Sequence, residues 1–174
     1  MLDALNAYCE GLDEAVEQAA QHNTDARLLQ LHPGIGPVIS LAFVLTVGDV
    51  GRFESSRQLV SYLGLNPSED SSGERRRMGS ISKQGNGFMR LLLIQGAQTA
   101  VRGDLHLGRQ YRRLAAKKNK AVAKVMVARK LAVRLFWMLK TKQYPEPVRM
   151  QGSSSHPVVE TTAPLSERPA SPPA

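Results

Sequence analysis

Two serines in the middle of the chain lie close in sequence to a cluster of cations, and together these residues could do chemistry on a phosphodiester. Ser71 and Ser72 are followed by Arg75, Arg76, Arg77 and Lys83. A serine hydroxyl can attack phosphorus when neighbouring cations stabilise the charge on the phosphate oxygens. No histidine lies near these serines in sequence to act as a base, and serines before a glycine are also common turn residues. Ser71 and Ser72 could therefore include a nucleophile, or they could only form a turn.

Basic residues are concentrated in one part of the chain. Residues 1–74 carry a net charge of −8, residues 75–142 carry +17, and the remaining residues carry −1. A segment this basic repels itself unless a polyanion neutralises it, and nucleic acid is a commoner polyanionic partner than an anionic membrane. Lys120 and Lys124 are spaced by four residues, which costs an isolated helix about 0.2–0.5 kcal/mol. We predict that the following cations contact nucleic acid: Arg75, Arg76, Arg77, Lys83, Arg90, Lys120 and Lys124.

The first helix carries a seam of apolar residues. These recur at heptad spacing between Leu2 and Ala19, which predicts a helix over residues 1–22 that packs lengthwise on a partner. The partner could be a second copy of the chain, giving a homo-oligomer through residues 2–19. It could equally be the chain's own core, because three heptads are near the lower limit for a coiled coil.

The remaining elements are also predicted to be helical, so the expected class is all-α. Residues 23–144 form the expected helical domain, which ends in a long helix over about residues 119–142. Phe136 and Trp137 are the expected apolar anchors of that helix. Residues 64–86 are rich in glycine and serine and are predicted to be a loop.

A short turn near the start of the domain has the composition of a phosphate-binding hairpin. Gly34, Ile35 and Gly36 lie between two prolines and before an apolar helix. In a helix-hairpin-helix element such glycines let backbone amides approach a DNA phosphate. The alternative is a tight corner between two helices with no ligand.

Several classes of protein are disfavoured by composition. No apolar run is long enough to cross a bilayer and no basic leader precedes Asp3, so we expect a cytoplasmic protein without a membrane partner. Cys9 has no second cysteine to pair with. No set of His, Cys, Asp and Glu has metal-ligand spacing, so neither a metal nor another cofactor is expected on this chain. Residues 145–174 are rich in Pro, Ser and Thr and are predicted to be a disordered tail.

The order of motifs over about residues 25–142 resembles the C-terminal transposase domain of the insertion sequence 110 family. The motifs are Leu31-His32-Pro33-Gly34-Ile35-Gly36-Pro37, Arg52-Phe53, Leu59 through Gly64-Leu65-Asn66-Pro67, Ser72-Gly73, Ile81-Ser82-Lys83-Gln84-Gly85-Asn86 and Arg90-Leu91-Leu92. Each motif is weak alone, whereas their combination is specific.

The resemblance implies a role in DNA transposition. In that family a serine attacks DNA and forms a 5′-phosphoserine link, and a structured RNA guides the choice of DNA. The matching nucleophile here is Ser72, directly before the glycine, with Ser71 as the fallback. The family's separate acidic RuvC-like domain, which binds magnesium, has no counterpart in these 174 residues. We therefore expect magnesium only together with such a domain. A non-catalytic nucleic-acid-binding module or a truncated remnant is the alternative.

Overall fold

Seven α-helices make up most of the part of the chain that the structure describes. The computed structural model describes residues 2–72, 75–81 and 84–143, so the predicted tail lies outside it. The elements in chain order are α1 Leu2–His22, α2 Thr24–Gln30, α3 Pro37–Val47, a single 3₁₀ turn Val50–Arg52, α4 Ser56–Tyr62, β1 Pro67–Ser72, β2 Arg75–Ile81, α5 Gly87–Gly103, α6 Leu105–Lys117 and α7 Lys120–Thr141. The predicted all-α class is confirmed, with one two-stranded hairpin between α4 and α5.

The helices of the second half begin at side-chain caps. Asn86 accepts a hydrogen bond from the amide of Met89, and Asn119 accepts one from the amide of Val122, at 3.0 and 2.8 Å. Asp104 caps α6 in the same way through the amide of Leu107. Each cap satisfies one of the amides that a helix leaves unpaired in its first turn, which is typically worth about 1 kcal/mol. These caps explain why the predicted start of the last helix is close to the observed one.

Helix α7 lies at the centre of the fold. It packs against α2, α4, α5 and α6, and its buried side chains join those of the other helices in a single core. Phe136 is fully buried in this core, as predicted. Trp137 was predicted as a second anchor, but that prediction is wrong because 47% of its surface is exposed. Neighbouring residues on a helix point about 100° apart, so burial of one ring turns the next toward the surface.

Helix α1 packs on the rest of the chain only near its C-terminal end. Ala20 is fully buried where α1 meets α2 and α3. On the predicted seam, Leu5 and Leu12 are 61% and 62% exposed, and Cys9 is exposed between them. The alternative in which this seam packs on the chain's own core is therefore wrong for Leu5, Cys9 and Leu12.

The predicted loop over residues 64–86 contains two antiparallel strands. β1 and β2 pair with a register irregularity between Pro67 and Glu69. The loop prediction is wrong here because β1 has no apolar alternation, which is the signal that identifies a strand from sequence.

Candidate functional site

The β-hairpin that carries the two serines is held at its base by close contact of two backbone segments. Gly64 has a φ of +66° and Gly85 has a φ of +93°. A Cβ at Gly64 would lie 1.7 Å from the carbonyl oxygen of Gln84, and a Cβ at Gly85 would lie 2.1 Å from that of Tyr62. Only glycine accommodates both the left-handed conformation and this approach. The chain entering the hairpin and the chain leaving it therefore touch.

Arg90 braces the same junction. Its Nη1 donates hydrogen bonds to the carbonyl oxygens of Leu63 at 3.4 Å and Gln84 at 3.2 Å, one on each side of the hairpin. Arg90 was predicted to contact nucleic acid, and the structure gives it a positioning role. A guanidinium has five donors, so contact with a phosphate through its other N–H groups stays a prediction.

The strand register brings serine and arginine positions together. Ser72 is the backbone partner of Arg75, and Ser71 is the partner of Arg76. The predicted cation at residue 83 lies outside the described residues, as does Gly73. The two predicted nucleophiles and two of the predicted cations are thus backbone neighbours in one short antiparallel hairpin. Arg90 holds the two ends of this hairpin together.

The turn around Gly34 packs on α5. Gly34 has a φ of +86°, and a Cβ there would lie 2.5 Å from the backbone of Gly96 and of Ala100. Ile35 is 5% exposed, and its amide donates to the carbonyl of His32. These two residues have packing roles, whereas the added Cβ of Gly36 would meet no atom within 4 Å. Phosphate contact at the predicted hairpin stays a prediction, and Gly36 is the position open to it.

A buried polar network joins this turn to α6 and α7. His32 is 2% exposed, and its Nδ1 donates to the carbonyl of Pro33 at 2.8 Å. Nη1 of Arg134 donates to Nε2 of His32 at 3.3 Å and also forms an ion pair with Asp104. Burial lowers the pKa of His32, and the charge of Arg134 lowers it further. His32 is therefore neutral in the folded protein, with its proton on Nδ1.

Asp104 is charged in this network. Burial raises the pKa of its carboxyl, but hydrogen bonds from the amide of Leu107 and from Arg134, together with the charge of Arg134, outweigh burial and lower it overall. Arg134 counts toward the net charge of +17 over residues 75–142, yet it has this acidic partner. Charge counts along the sequence therefore overstate the basic surface at this position.

Cations crowd one another beside the network. Burial lowers the pKa of Lys130, and the positive charges of Arg113 and Arg134 lower it further. Like charges near one another repel, and a bound anion would relieve that repulsion. Lys120 and Lys124, the predicted nucleic-acid contacts, lie one turn apart at the start of the same helix, α7. This surface is the main candidate for contact with a polyanion.

No metal site is formed by the described part of the chain. Among residues 2–72, 75–81 and 84–143, no three His, Cys, Asp or Glu side chains are grouped so that they could hold an ion. Within the same residues, no helix is both long and apolar enough to cross a membrane.

Sequence comparison identifies the family. Residues 26–112, half of the chain, match the Transposase IS116/IS110/IS902 family. The chain belongs to this transposase family. The matched segment contains the turn at Gly34, the serine hairpin and Arg90, whereas Lys120 and Lys124 lie beyond it. The family predicted from the motif order is thus confirmed.

Curated relatives are similar to this transposase-family chain over part of their length. It is 39% identical over 90 residues to the transposase for insertion sequence element IS1111A of Coxiella burnetii, covering 52% of this chain and 25% of the relative. It is 35% identical over 101 residues to a probable family 20 transposase of Pseudomonas aeruginosa, covering 58% and 30%. A putative transposase of Sinorhizobium fredii is 47% identical over 66 residues, covering 38% and 17%. The chain thus spans at most about a third of these relatives.

Sequence reasoning missed the residues that position the site in this family member. Arg90 was recognised as a cation but not as a brace, and the contact of His32 with Arg134 was not predicted. Their partners lie 27 and 102 residues away along the chain. The one available signal was the pair of glycines that flank residues 65–84, because glycine at both ends of a loop indicates close backbone approach.

Proposed function

We propose that this chain is the part of an insertion-sequence transposase that binds DNA and supplies a serine nucleophile for strand cleavage and transfer. Family membership supports the transposition role. The observation that carries the serine assignment is the hairpin register, which pairs Ser72 with Arg75 and Ser71 with Arg76 on a base braced by Arg90. Ser72 is the proposed nucleophile and Ser71 the fallback.

The proposed step is a transesterification on DNA. The Ser72 hydroxyl oxygen bonds to phosphorus, its proton passes to a base, and the bond from phosphorus to the 3′ oxygen breaks. The 3′ oxygen takes up a proton and leaves as a hydroxyl, and the 5′ phosphate remains esterified to serine. Arg75, Arg76 and Arg77 would stabilise the charge on the phosphate. Among the described residues no group of side chains could hold magnesium, so the proposal assigns the ion to none of them.

DNA binding is proposed to use the basic surface of the second half. The crowding of Lys130 by Arg113 and Arg134 supports an anionic partner. Lys120, Lys124 and the open position Gly36 would add phosphate contacts that place the protein without selecting a sequence. A helix-hairpin-helix role for the turn, DNA recombination as the outcome, a guide RNA as a second partner and a cytoplasmic location belong to the same proposal.

A covalent-adduct assay tests the serine. The chain is mixed with DNA, magnesium, a structured RNA and a RuvC-like acidic domain of the family supplied in trans, and protein–DNA adducts are separated under denaturing conditions. We expect an adduct with the wild type and none with Ser72→Ala. DNA affinity should change less than about threefold, because cations rather than the hydroxyl dominate binding. Ser61→Ala, at an exposed position on α4, is the matched control and should keep the adduct.

The outcomes separate the candidate functions. Loss of the adduct in Ser71→Ala but not in Ser72→Ala would move the nucleophile by one residue. An adduct that survives the double substitution would refute the hairpin as the catalytic site. DNA binding without any wild-type adduct would leave the second candidate, a non-catalytic nucleic-acid-binding module, which the crowded cations favour on their own.

Homo-oligomerisation through α1 is part of the proposal. The exposure of Leu5 and Leu12 on the heptad seam supports a second copy of the chain as the partner. Leu12→Glu should lower the molar mass measured by sedimentation to that of the monomer. Asn6→Glu, an exposed change off the seam, should leave it unchanged. Equal masses for the wild type and Leu12→Glu would contradict this interface.

A further inference from the structure

Three helices of the basic half line an open cavity, and Lys124 is the one lining residue to which the proposed function already gives a role. Its volume is about 190 Å³, and it lies between α5, α6 and α7. The lining residues are Ala97, Gln98, Val101, Arg102, Tyr111, Lys124 and Val127. None of these lining residues is acidic.

The lining combines an apolar floor with polar groups. Ala97 and Val127 are buried, and the half-buried Tyr111 packs against the core beside them. Gln98 and Arg102 are exposed, so their polar ends are accessible from solvent. An aromatic ring on an apolar floor, beside an amide and a cation, is the set of groups that proteins use to hold an unstacked nucleobase.

The shape and chemistry favour a base over a bare phosphate. A phosphate needs donors on several sides, whereas much of this lining has none. Whole small-molecule ligands usually occupy about 300–1,000 Å³, so a smaller cavity suits a single ring system. Arg102 and Lys124 are the cations of the lining and can contact the phosphates on either side of an inserted base.

We propose that this cavity receives one unstacked base of a nucleic-acid strand. The base stacks on Tyr111, the amide of Gln98 bonds to its edge, and Arg102 and Lys124 hold the flanking phosphates. This inference rests on the proposed function, because it requires the chain to bind nucleic acid. It adds that the chain prefers a strand with an extruded base, from either DNA or RNA, to a continuous duplex.

A fluorescent base analogue tests the proposal. The full chain is titrated with two DNA duplexes that contain 2-aminopurine, one fully paired and one with the analogue as a single-base bulge, and with their RNA counterparts. We expect the bulged duplex to bind about fivefold to a hundredfold more tightly than the paired one, the range expected for stacking one base on an aromatic ring. The fluorescence of the bulged analogue should fall on binding as it stacks on Tyr111. Comparison of the two backbones shows whether the base comes from DNA or RNA.

Two variants at the cavity and one outside it make the assay specific. Tyr111→Leu should remove the preference for the bulge and the fluorescence change, while affinity for the paired duplex stays within about twofold. Gln98→Ala is an exposed helix substitution that should weaken only the bulged complex. Tyr62→Leu, also at a partly exposed tyrosine but outside the cavity lining, should keep the full preference.

Each result supports or overturns the inference. Binding of the paired duplex with no preference for the bulge overturns it and leaves the proposed DNA binding intact. A preference that survives both Tyr111→Leu and Gln98→Ala also overturns it, because the base is then held elsewhere. No binding of any duplex overturns the proposed function and this inference together.

Discussion

Replacement of Gly64 by alanine tests whether the base of the serine hairpin is as close as the structure indicates. The new Cβ would lie 1.7 Å from the carbonyl oxygen of Gln84 and 2.8 Å from Nη1 of Arg90. Relief requires the two backbone segments to separate by more than about 1 Å, which breaks the bridge that Arg90 makes between them. A hydrogen bond to a charged group contributes about 1.5–3 kcal/mol, and the left-handed conformation costs alanine about 1–2 kcal/mol. We expect Gly64→Ala to lower the free energy of unfolding by about 3–5 kcal/mol.

Urea unfolding followed by circular dichroism measures this change, and two other glycines are matched controls. Gly48 also has a positive φ, +60°, but an added Cβ would meet no atom within 4 Å. Gly48→Ala should therefore show backbone strain alone, about 1–3 kcal/mol. Gly11→Ala, in the open on α1, should raise the free energy of unfolding by about 0.5–1 kcal/mol because alanine favours a helix.

A double-mutant cycle identifies the source of the loss. If Gly64→Ala acts by separating the bridge, Arg90→Ala should add little to it, and the two changes should be non-additive by at least about 1 kcal/mol. Additive effects, or a loss from Gly64→Ala no larger than that from Gly48→Ala, would refute the close approach of the two segments.

Three further predictions concern the buried network of His32, Asp104 and Arg134, the two aromatic rings of α7, and the basic surface. The pKa of His32 is lower in the folded protein than its ordinary value of 6.5, because burial disfavours the protonated ring. The contribution of His32 to the free energy of unfolding should therefore be greatest above pH 6.5 and should decrease as the pH drops toward 5. Urea unfolding across this range should show a flatter dependence in His32→Gln, and an unchanged slope would contradict the buried neutral imidazole. Phe136→Ala should cost about 3–5 kcal/mol and Trp137→Ala at least about 2 kcal/mol less, since only the first ring is buried; equal losses would contradict the assigned burial. DNA affinity should fall at least about a hundredfold between 50 and 200 mM salt if about six phosphates are neutralised, and a flat titration would exclude phosphate-dominated binding.

The helices were predictable because their signals are local. The apolar spacing of α7 and the Asn119 cap lie within one stretch of sequence, and they place that helix to within a residue or two. The strands β1 and β2 were not predictable, since their sequences lack the β-branched and aromatic alternation that marks a strand. Their ends are brought together by contacts outside the strands, at Gly64 and Gly85.

The candidate site was predictable in its chemistry but not in its supports. Serines next to arginines were visible as a sequence cluster, and the pairing of Ser72 with Arg75 follows from a hairpin that the sequence did not indicate. The brace from Arg90 and the contact of Arg134 with His32 depend on how helices pack. Such contacts join residues that carry no mutual signal in a single sequence.

The placement of Asp104 bears on how the basic half is neutralised. It is the only acidic residue between positions 75 and 142. Its carboxylate caps α6 and pairs with Arg134, so it is committed to holding the turn, α6 and α7 together. In the part of the chain that the structure describes, the first half adds one further ion pair to this segment, from Asp25 to Lys142. Burial lowers the pKa of Lys130 beside that network, and the charge of Arg113 lowers it further. Because Asp104 is already paired, we predict that an anion from outside the chain neutralises these two cations.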